Sequence, residues 1–245
     1  MSGHSHAANI AAKKAKTDAA KGKIFTKVGR EIAVAAKSNP DPDTNSKLAD
    51  AIAKAKAVNM PNENIKRCIA KAAGELNATN YEELTYEGYG PAGSAVIIKT
   101  LTDNKNRTVD FVRTTMRKHG GSLGNAGCVS FTFSTLGVIV IERTADLEED
   151  AVMEYALEAG ADDFIAEDDA FIVHTSVSNF SSVRKYLEEK GLNFFEAQID
   201  MLPQNKISLA GDDLVKFNKL IDALEDLDDV QNVYHNVELP EEDEE

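Results

Sequence analysis

The sequence has no tryptophan, only two cysteines and six prolines in 245 residues. Cys68 and Cys128 are too few and too isolated for a disulfide framework or a paired-cysteine zinc site, so both are expected to be reduced, small apolar residues. Apolar residues nowhere run to the roughly 20 that a membrane-spanning helix needs, and the first residues, MSGHSHAANIAAKKAK, lack the hydrophobic core of a secretion signal. The expected location is therefore the cytoplasm. No nucleophile elbow and no HExxH helix is present, so the expectation is a non-enzyme with no catalytic residue, no metal centre and no cofactor. His119, His174 and His235 have no partner at ligand spacing, and the pairs Asp162/Asp163 and Asp168/Asp169 lack the spacing of a calcium loop. Should Met1 be removed, Ser2-Gly3-His4 offers an amine, two amides and an imidazole that suit square-planar Cu(II) or Ni(II), a chelation that a flexible tail supplies adventitiously.

What is present is an ordinary globular composition, 42% hydrophobic and 28% charged, enough for one to three domains with cores of their own. The net charge of −14 hides a gradient. Residues 1–75 carry +7, residues 76–134 carry +1 and residues 135–245 carry −22. Because salt screens exposed charges over about 8 Å, a basic front module can act independently of an acidic rear one.

The front third has the period of helices only. From Thr17 to Lys37 the apolar residues Ile24, Phe25, Val28, Ile32 and Ala35 gather on one face. A second helix is predicted over about 45–58 and a third from Pro61 to Gly74. The β-branched run at 94–101 then predicts a strand, followed by a helix whose start has cap chemistry in Thr102, Asp103 and Asn104, and a strand CVSFTF at 128–133. GVIVIE, a helix over 148–159, DDFIAE, AFIVHTS, a helix over 179–190 and FFEAQIDML follow as β-α-β-β-α-β. That order closes into an antiparallel sheet with both helices on one face. A helix over 212–227 and a strand over 230–236 remain, and joined to the strand, helix and strand before residue 135 they approach a second such set. The expected architecture is α+β: a basic tail (1–16), a helical domain (17–76), a middle α+β domain (80–134 with 204–238), a ferredoxin-like domain inserted into it (137–202) and an acidic tail (239–245).

The strongest chemical signal lies on the first helix. With Lys16 set to zero, Lys23, Lys27 and Arg30 fall at roughly −20°, +20° and −40°, while the apolar face centres near +130°. One helix thus offers a greasy side to a core and a cationic ridge to solvent. Lys13, Lys14 and Lys21 extend the positive field, and Lys54, Lys56, Lys66, Arg67 and Lys71 add to it from the next two helices. Phosphate backbones bind such ridges through counterion release. The glycine-rich loop HGGSLGNAG (119–127) is no nucleotide cradle, since it leaves a helix and enters a strand. The segment YEGYGPAG (86–93) is either a rigid turn or a stacking surface built on its tyrosines. Tyr86, Tyr89, His119 and Ser122 are accordingly candidate loop contacts.

GHSxxANI (3–10), DAAKGKIFTKVGREI (18–32), KAKAVNMPNENIKR (54–67), YEGYGPAG, LTDNKNRT (101–108) and KHGGSLGNAG (118–127) together resemble the YebC/PmpR family, as does DDVQNVYHN (228–236). The resemblance implies three domains, the last inserted into the middle one. It also implies a cytoplasmic, DNA-binding transcriptional regulator that is not an enzyme. Other members look like translation factors: mitochondrial relatives are translational activators, and some bacterial ones relieve ribosomes stalled on proline-rich stretches. The same ridge can therefore meet duplex DNA or ribosomal or transfer RNA, because phosphate contacts position a protein without reading sequence. A protein-binding adaptor, its ridge docked on an acidic partner, is the third alternative, and the acidic C-terminal half is a candidate surface for a protein partner. Where the family usually has Lys-Trp after GHS, this chain has His6 and Ala7, and Ala11 and Ala12 replace basic tail positions, which removes one aromatic stacker and some charge.

Overall fold

The computed structural model describes residues 21–74 and 80–239. The chain divides into two compact units, one of Met1–Glu75 with Thr135–Asp200 and the other of Leu76–Ser134 with Met201–Glu245.

The first unit begins with three helices, α1 (Lys21–Ser38), α2 (Ser46–Ala57) and α3 (Asn62–Gly74). The predicted start of the first helix, at Thr17, lies outside the described residues. Val28, Ile32 and Ala36 of α1 close over Leu48, Ala51 and Ala55 of α2 and over Met60 and Ile65. Asn45 organises the corner between α1 and α2. Its Oδ1 accepts from the Leu48 amide as an N-cap, while its Nδ2 donates to the carbonyls of Ala35 and Asn39. One side chain thus satisfies orphan groups at the end of one helix and the start of the next.

The same unit contains the β-α-β-β-α-β set: β4 (Phe133–Glu142), α5 (Glu149–Ala159), β5 (Asp163–Ala166), β6 (Ala170–Thr175), α6 (Phe180–Glu189) and β7 (Phe194–Pro203). Its sheet runs in the order β5-β6-β4-β7, the order expected of a ferredoxin-like fold, with β6 antiparallel to both β5 and β4. Ile139, Ile141, Phe171 and Val173 from the sheet meet Val152, Ala156, Phe180, Val183 and Leu187 from the two helices. Gly137 is required by this packing, because a Cβ there would stand 2.2 Å from Thr175 Oγ1 and 2.7 Å from the Phe180 ring. Helix α6 also meets α2, where Asp50 accepts from Ser181 Oγ and, at 3.0 Å, from Arg184 Nε.

The second unit is built on the sheet β3-β1-β2-β9, made by β1 (Glu82–Tyr89), β2 (Ala95–Thr102), β3 (Ser122–Leu123) and β9 (Val230–His235). Helices α4 (Lys105–Lys118) and α7 (Gly211–Glu225) cover one face, where Val96, Ile98, Val112, Met116, Phe217, Leu220 and Leu224 form the core. A short parallel pair, β8 (Ile207–Ser208) with β10 (Val237–Glu238), completes it. The start of α4 is pinned by Asp229, whose carboxylate accepts from Arg107 Nη2 (2.9 Å), Thr108 Oγ1 (2.7 Å) and Thr102 Oγ1 (3.3 Å).

Two sequence expectations are corrected here. Residues 128–133 do not form a strand: Cys128 and Val129 bend, Ser130–Thr132 make a 3-10 turn, and β4 starts at Phe133 and runs on into GVIVIE. The amides of Gly127, Val129 and Ser130 go to the Glu87 carboxylate rather than to a sheet ladder. Conversely, Tyr86–Tyr89 belong to β1 and not to a turn. This strand is polar and carries no β-branched run, so its partners define it: it pairs with β2 along its whole length and with β3 at Gly88 and Tyr89. Gly88 permits the second pairing, since a Cβ there would lie 2.3 Å from the Ser122 carbonyl oxygen.

Candidate nucleic-acid interface

Helix α1 realises the two-sided pattern. Val28, Ile32 and Ala36 are buried, whereas Lys21 and Lys23 are exposed and Lys27 and Arg30 half-buried. Lys23, Lys27 and Arg30 occupy i, i+4 and i+7, one stripe of the helix surface. Lys13, Lys14 and Lys16, the tail members of the predicted ridge, lie outside the described residues. Gly29 approaches α3 so closely that a Cβ would sit 3.3 Å from Cys68 Sγ. This contact sets α1 and α3 side by side, with Arg30 and Arg67 each next in sequence to a residue of the contact.

Lys66 and Arg67 are exposed on α3. Lys66 Nζ stands 4.0 Å from Glu63, an exposed pair that water screens almost completely. Burial pushes the Cys68 thiol above its ordinary pKa, against the opposing pull of Arg67 and Lys71, so it stays a neutral packing group. Lys54, expected to add to the field, is instead held 2.8 Å from Glu31 and ties α2 to α1.

The loop candidates separate in the structure. Tyr86 lies on β1 with its ring against the helix-covered core and its hydroxyl buried, so it offers no loop contact. Burial first, and Asp229 second, push its pKa above the ordinary tyrosine value. Tyr89, 42% exposed, ends β1 opposite Ser122 and donates from its hydroxyl to the Cys128 carbonyl at 3.0 Å. His119 caps the C-terminus of α4. Tyr89, Ser122 and His119 therefore lie in one short stretch of sheet edge and helix end, and Tyr86 does not join them.

The residue that shapes this stretch escaped the sequence reading. Glu87, 8% exposed, accepts from the amides of Gly127 (2.8 Å), Val129 (2.9 Å) and Ser130 (2.9 Å), and its own carbonyl accepts from Gly124. Burial alone would raise its carboxyl pKa, but the three backbone donors together with the Ser130 hydroxyl outweigh burial and hold it below the ordinary value. The signal in the sequence was a carboxylate set among glycines and tyrosines, and the structure puts it on the face of β1 opposite the helix-covered core, beside Ile97 and Val129. Among the described residues, no group of three His, Cys, Asp or Glu is placed to hold a metal ion.

Two family models match the chain: residues 5–75 match the TACO1/YebC protein N-terminal domain, and residues 81–237 match the TACO1/YebC second and third domain. The chain belongs to the TACO1/YebC family. The two matches together run from residue 5 to residue 237. A TACO1/YebC relative from Hathewaya histolytica, named probable transcriptional regulatory protein ORF2U, is 57% identical over 98% of this chain and 98% of its own. A probable transcriptional regulatory protein of Acetivibrio thermocellus is 58% identical over 96% of this chain and 98% of its own. The crystal structure of a conserved hypothetical protein from Aquifex aeolicus superposes with a TM-score of 0.81 at 42% identity, covering 94% of this chain and 96% of that one. The α+β fold is thus shared with a solved structure of clear sequence kinship. No helix among the described residues is long and apolar enough to cross a membrane.

Proposed function

We propose that this TACO1/YebC protein is a non-enzymatic regulator of gene expression that binds nucleic acid, with duplex DNA as its target and the outer face of α1 as its grip. The observation that carries the reading is the stripe Lys23, Lys27 and Arg30 on a helix whose opposite side is locked into a core. A cationic row on a rigid rod presents charges at fixed spacing to a phosphate backbone, and each contact releases counterions. Lys21, Lys66 and Arg67, with Lys13, Lys14 and Lys16 of the N-terminal segment, extend the field. The names of the relatives, probable transcriptional regulatory proteins, support regulation as the class.

The test is a binding titration of the full chain on a generic 20-base-pair duplex and on a ribosomal RNA helix, at several salt concentrations. Reversal of Lys23, Lys27 and Arg30 to Glu should strongly weaken duplex binding and reduce the log–log salt slope of what remains by about 2.7, at about 0.9 per phosphate contact. A variant that binds like the parent would place the grip elsewhere. Crosslinking in cells then separates the stages: promoter DNA recovered on the chain supports transcription, and ribosomal or transfer RNA supports the translational reading. Protein alone would remove both.

A further inference from the structure

The second unit carries a cationic surface that the α1 reading leaves unused. Helix α4 has the sequence KNRTVDFVRTTMRK, five basic residues against one acidic. Its inner side is complete without Phe111: Thr108, Val112 and Met116 are buried, and the last two belong to the core beneath the helix. Phe111 points outward and is 53% exposed, the one large apolar side chain that α4 shows to solvent among the described residues. Beside it run two exposed rows, Phe111-Thr114-Lys118 and Asp110-Arg113-Arg117, both at i, i+3 and i+7.

The ion pairs on this helix sharpen the picture. Arg107 is held by Asp229 and Asp103, and both hydrogen bonds keep its pKa raised, so it orients the helix rather than awaiting a ligand. Arg113 is 3.3 Å from Asp110, an exposed pair of little strength. Arg117 and Lys118 form no ion pair with any described residue. Elsewhere this unit is acidic: residues 201–245 carry three lysines against thirteen Asp and Glu. Arg117 and Lys118, without an ion pair among the described residues, and the weakly paired Arg113 beside them form a local cationic feature on an acidic body, not a reflection of composition.

We infer that the outer face of α4 is a second nucleic-acid surface, built for an unpaired strand: Phe111 stacks one base while Arg113, Arg117 and Lys118 take the flanking phosphates. A lone exposed aromatic ring bordered by threonine and cations is too small an apolar area to centre a protein interface, which gathers several apolar anchors. It matches one base face, for which stacking is worth several-fold in affinity or more. The α1 ridge differs in kind, because its one aromatic, Phe25, packs against its own core. The proposal therefore stands on different residues from the duplex reading and survives or fails independently of it.

The experiment titrates the full chain with fifteen-nucleotide oligo(U) and oligo(dT), each also prepared with one 2-aminopurine, whose fluorescence reports stacking. Phe111→Ala should weaken single-strand binding at least about 5-fold and abolish the fluorescence change, with duplex affinity unchanged, whereas Phe111→Trp should retain both. Arg117→Glu with Lys118→Glu should reduce the salt slope by about 1.4, at about 0.7 per contact on single strands. The Lys23, Lys27 and Arg30 reversals should leave these effects in place. Loss for either oligonucleotide supports the surface, and which of the two is lost identifies the sugar. Unchanged affinity of both sets of variants for both strands, with helix content intact, overturns it.

Discussion

Replacing Glu87 by Gln tests how the segment from Gly124 to Ser130 is held. In the native protein one carboxylate oxygen accepts from Gly127 and the other from both Val129 and Ser130. A glutamine keeps one oxygen and no charge. Its best placement serves Val129 and Ser130 and turns its NH2 towards the Gly127 amide, so that donor faces donor. An unmet donor costs about 1–3 kcal/mol, and the two surviving bonds each lose about 1 kcal/mol when the acceptor becomes neutral. Glu87→Gln should therefore destabilise the second unit by about 3–5 kcal/mol, read as a lower urea midpoint. The chain has no tryptophan, so circular dichroism and tyrosine emission are the probes. Hydrogen exchange locates the effect: the Gly127 amide should exchange at least about 10-fold faster, the equivalent of about 1.4 kcal/mol. The pH dependence has a definite sign. The native carboxyl pKa is depressed, so its contribution is complete above the unfolded value of about 4.3 and is lost as pH falls through the native value. The gap between parent and variant should shrink as pH drops below about 5. Unchanged exchange at Gly127, Val129 and Ser130 would refute the reasoning, whatever happened to global stability.

Three further outcomes follow from the packing. Asp229→Ala should cost about 3 kcal/mol and loosen the first turn of α4, because it strips a buried acceptor from Arg107, Thr108 and Thr102; urea unfolding and exchange at Thr108 check it. Gly137→Ala should cost at least about 2 kcal/mol, since its Cβ would strike Thr175 and the Phe180 ring; a thermal midpoint equal to that of the parent would contradict the geometry. Asp50→Asn and Arg184→Gln should show a coupling of about 1–2 kcal/mol in a double-mutant cycle, because Arg184 is only 8% exposed and bonds Asp50 across the contact between α2 and α6.

Periodicity carried most of the element order. Helices with a single buried stripe, such as α1 and α6, stood out because their apolar spacing has one explanation. The buried strands β2, β4 and β6 stood out through β-branched runs. What stayed hidden depended on partners distant in sequence. Glu82–Tyr89 becomes a strand because β2 and β3 lie on either side of it, and CVSFTF loses its ladder because the Glu87 carboxylate, 42 residues from Val129, claims the amides of Val129 and Ser130. The α1 ridge was legible because helix geometry alone places Lys23, Lys27 and Arg30 in a row. Lys54 was misjudged because only the packing of α1 on α2 brings it to Glu31. The cationic face of α4 is hidden in the sequence because the apolar stripe of a helix between two strands dominates its pattern, and the exposure of Phe111 depends on which side the sheet occupies.

The bond between Arg107 and Asp229 spans 122 positions, and the sheet partner of β2 on that side, β9, is equally late in the chain. During synthesis, then, the first pieces of the second unit emerge with an unpaired strand edge and a helix whose anchoring aspartate has not been made. Sixty-six residues of another unit are translated before that anchor appears. A nascent chain cut short anywhere before Asp229 exposes β2 to whatever edge is nearby, so premature termination should yield aggregation rather than a smaller working protein.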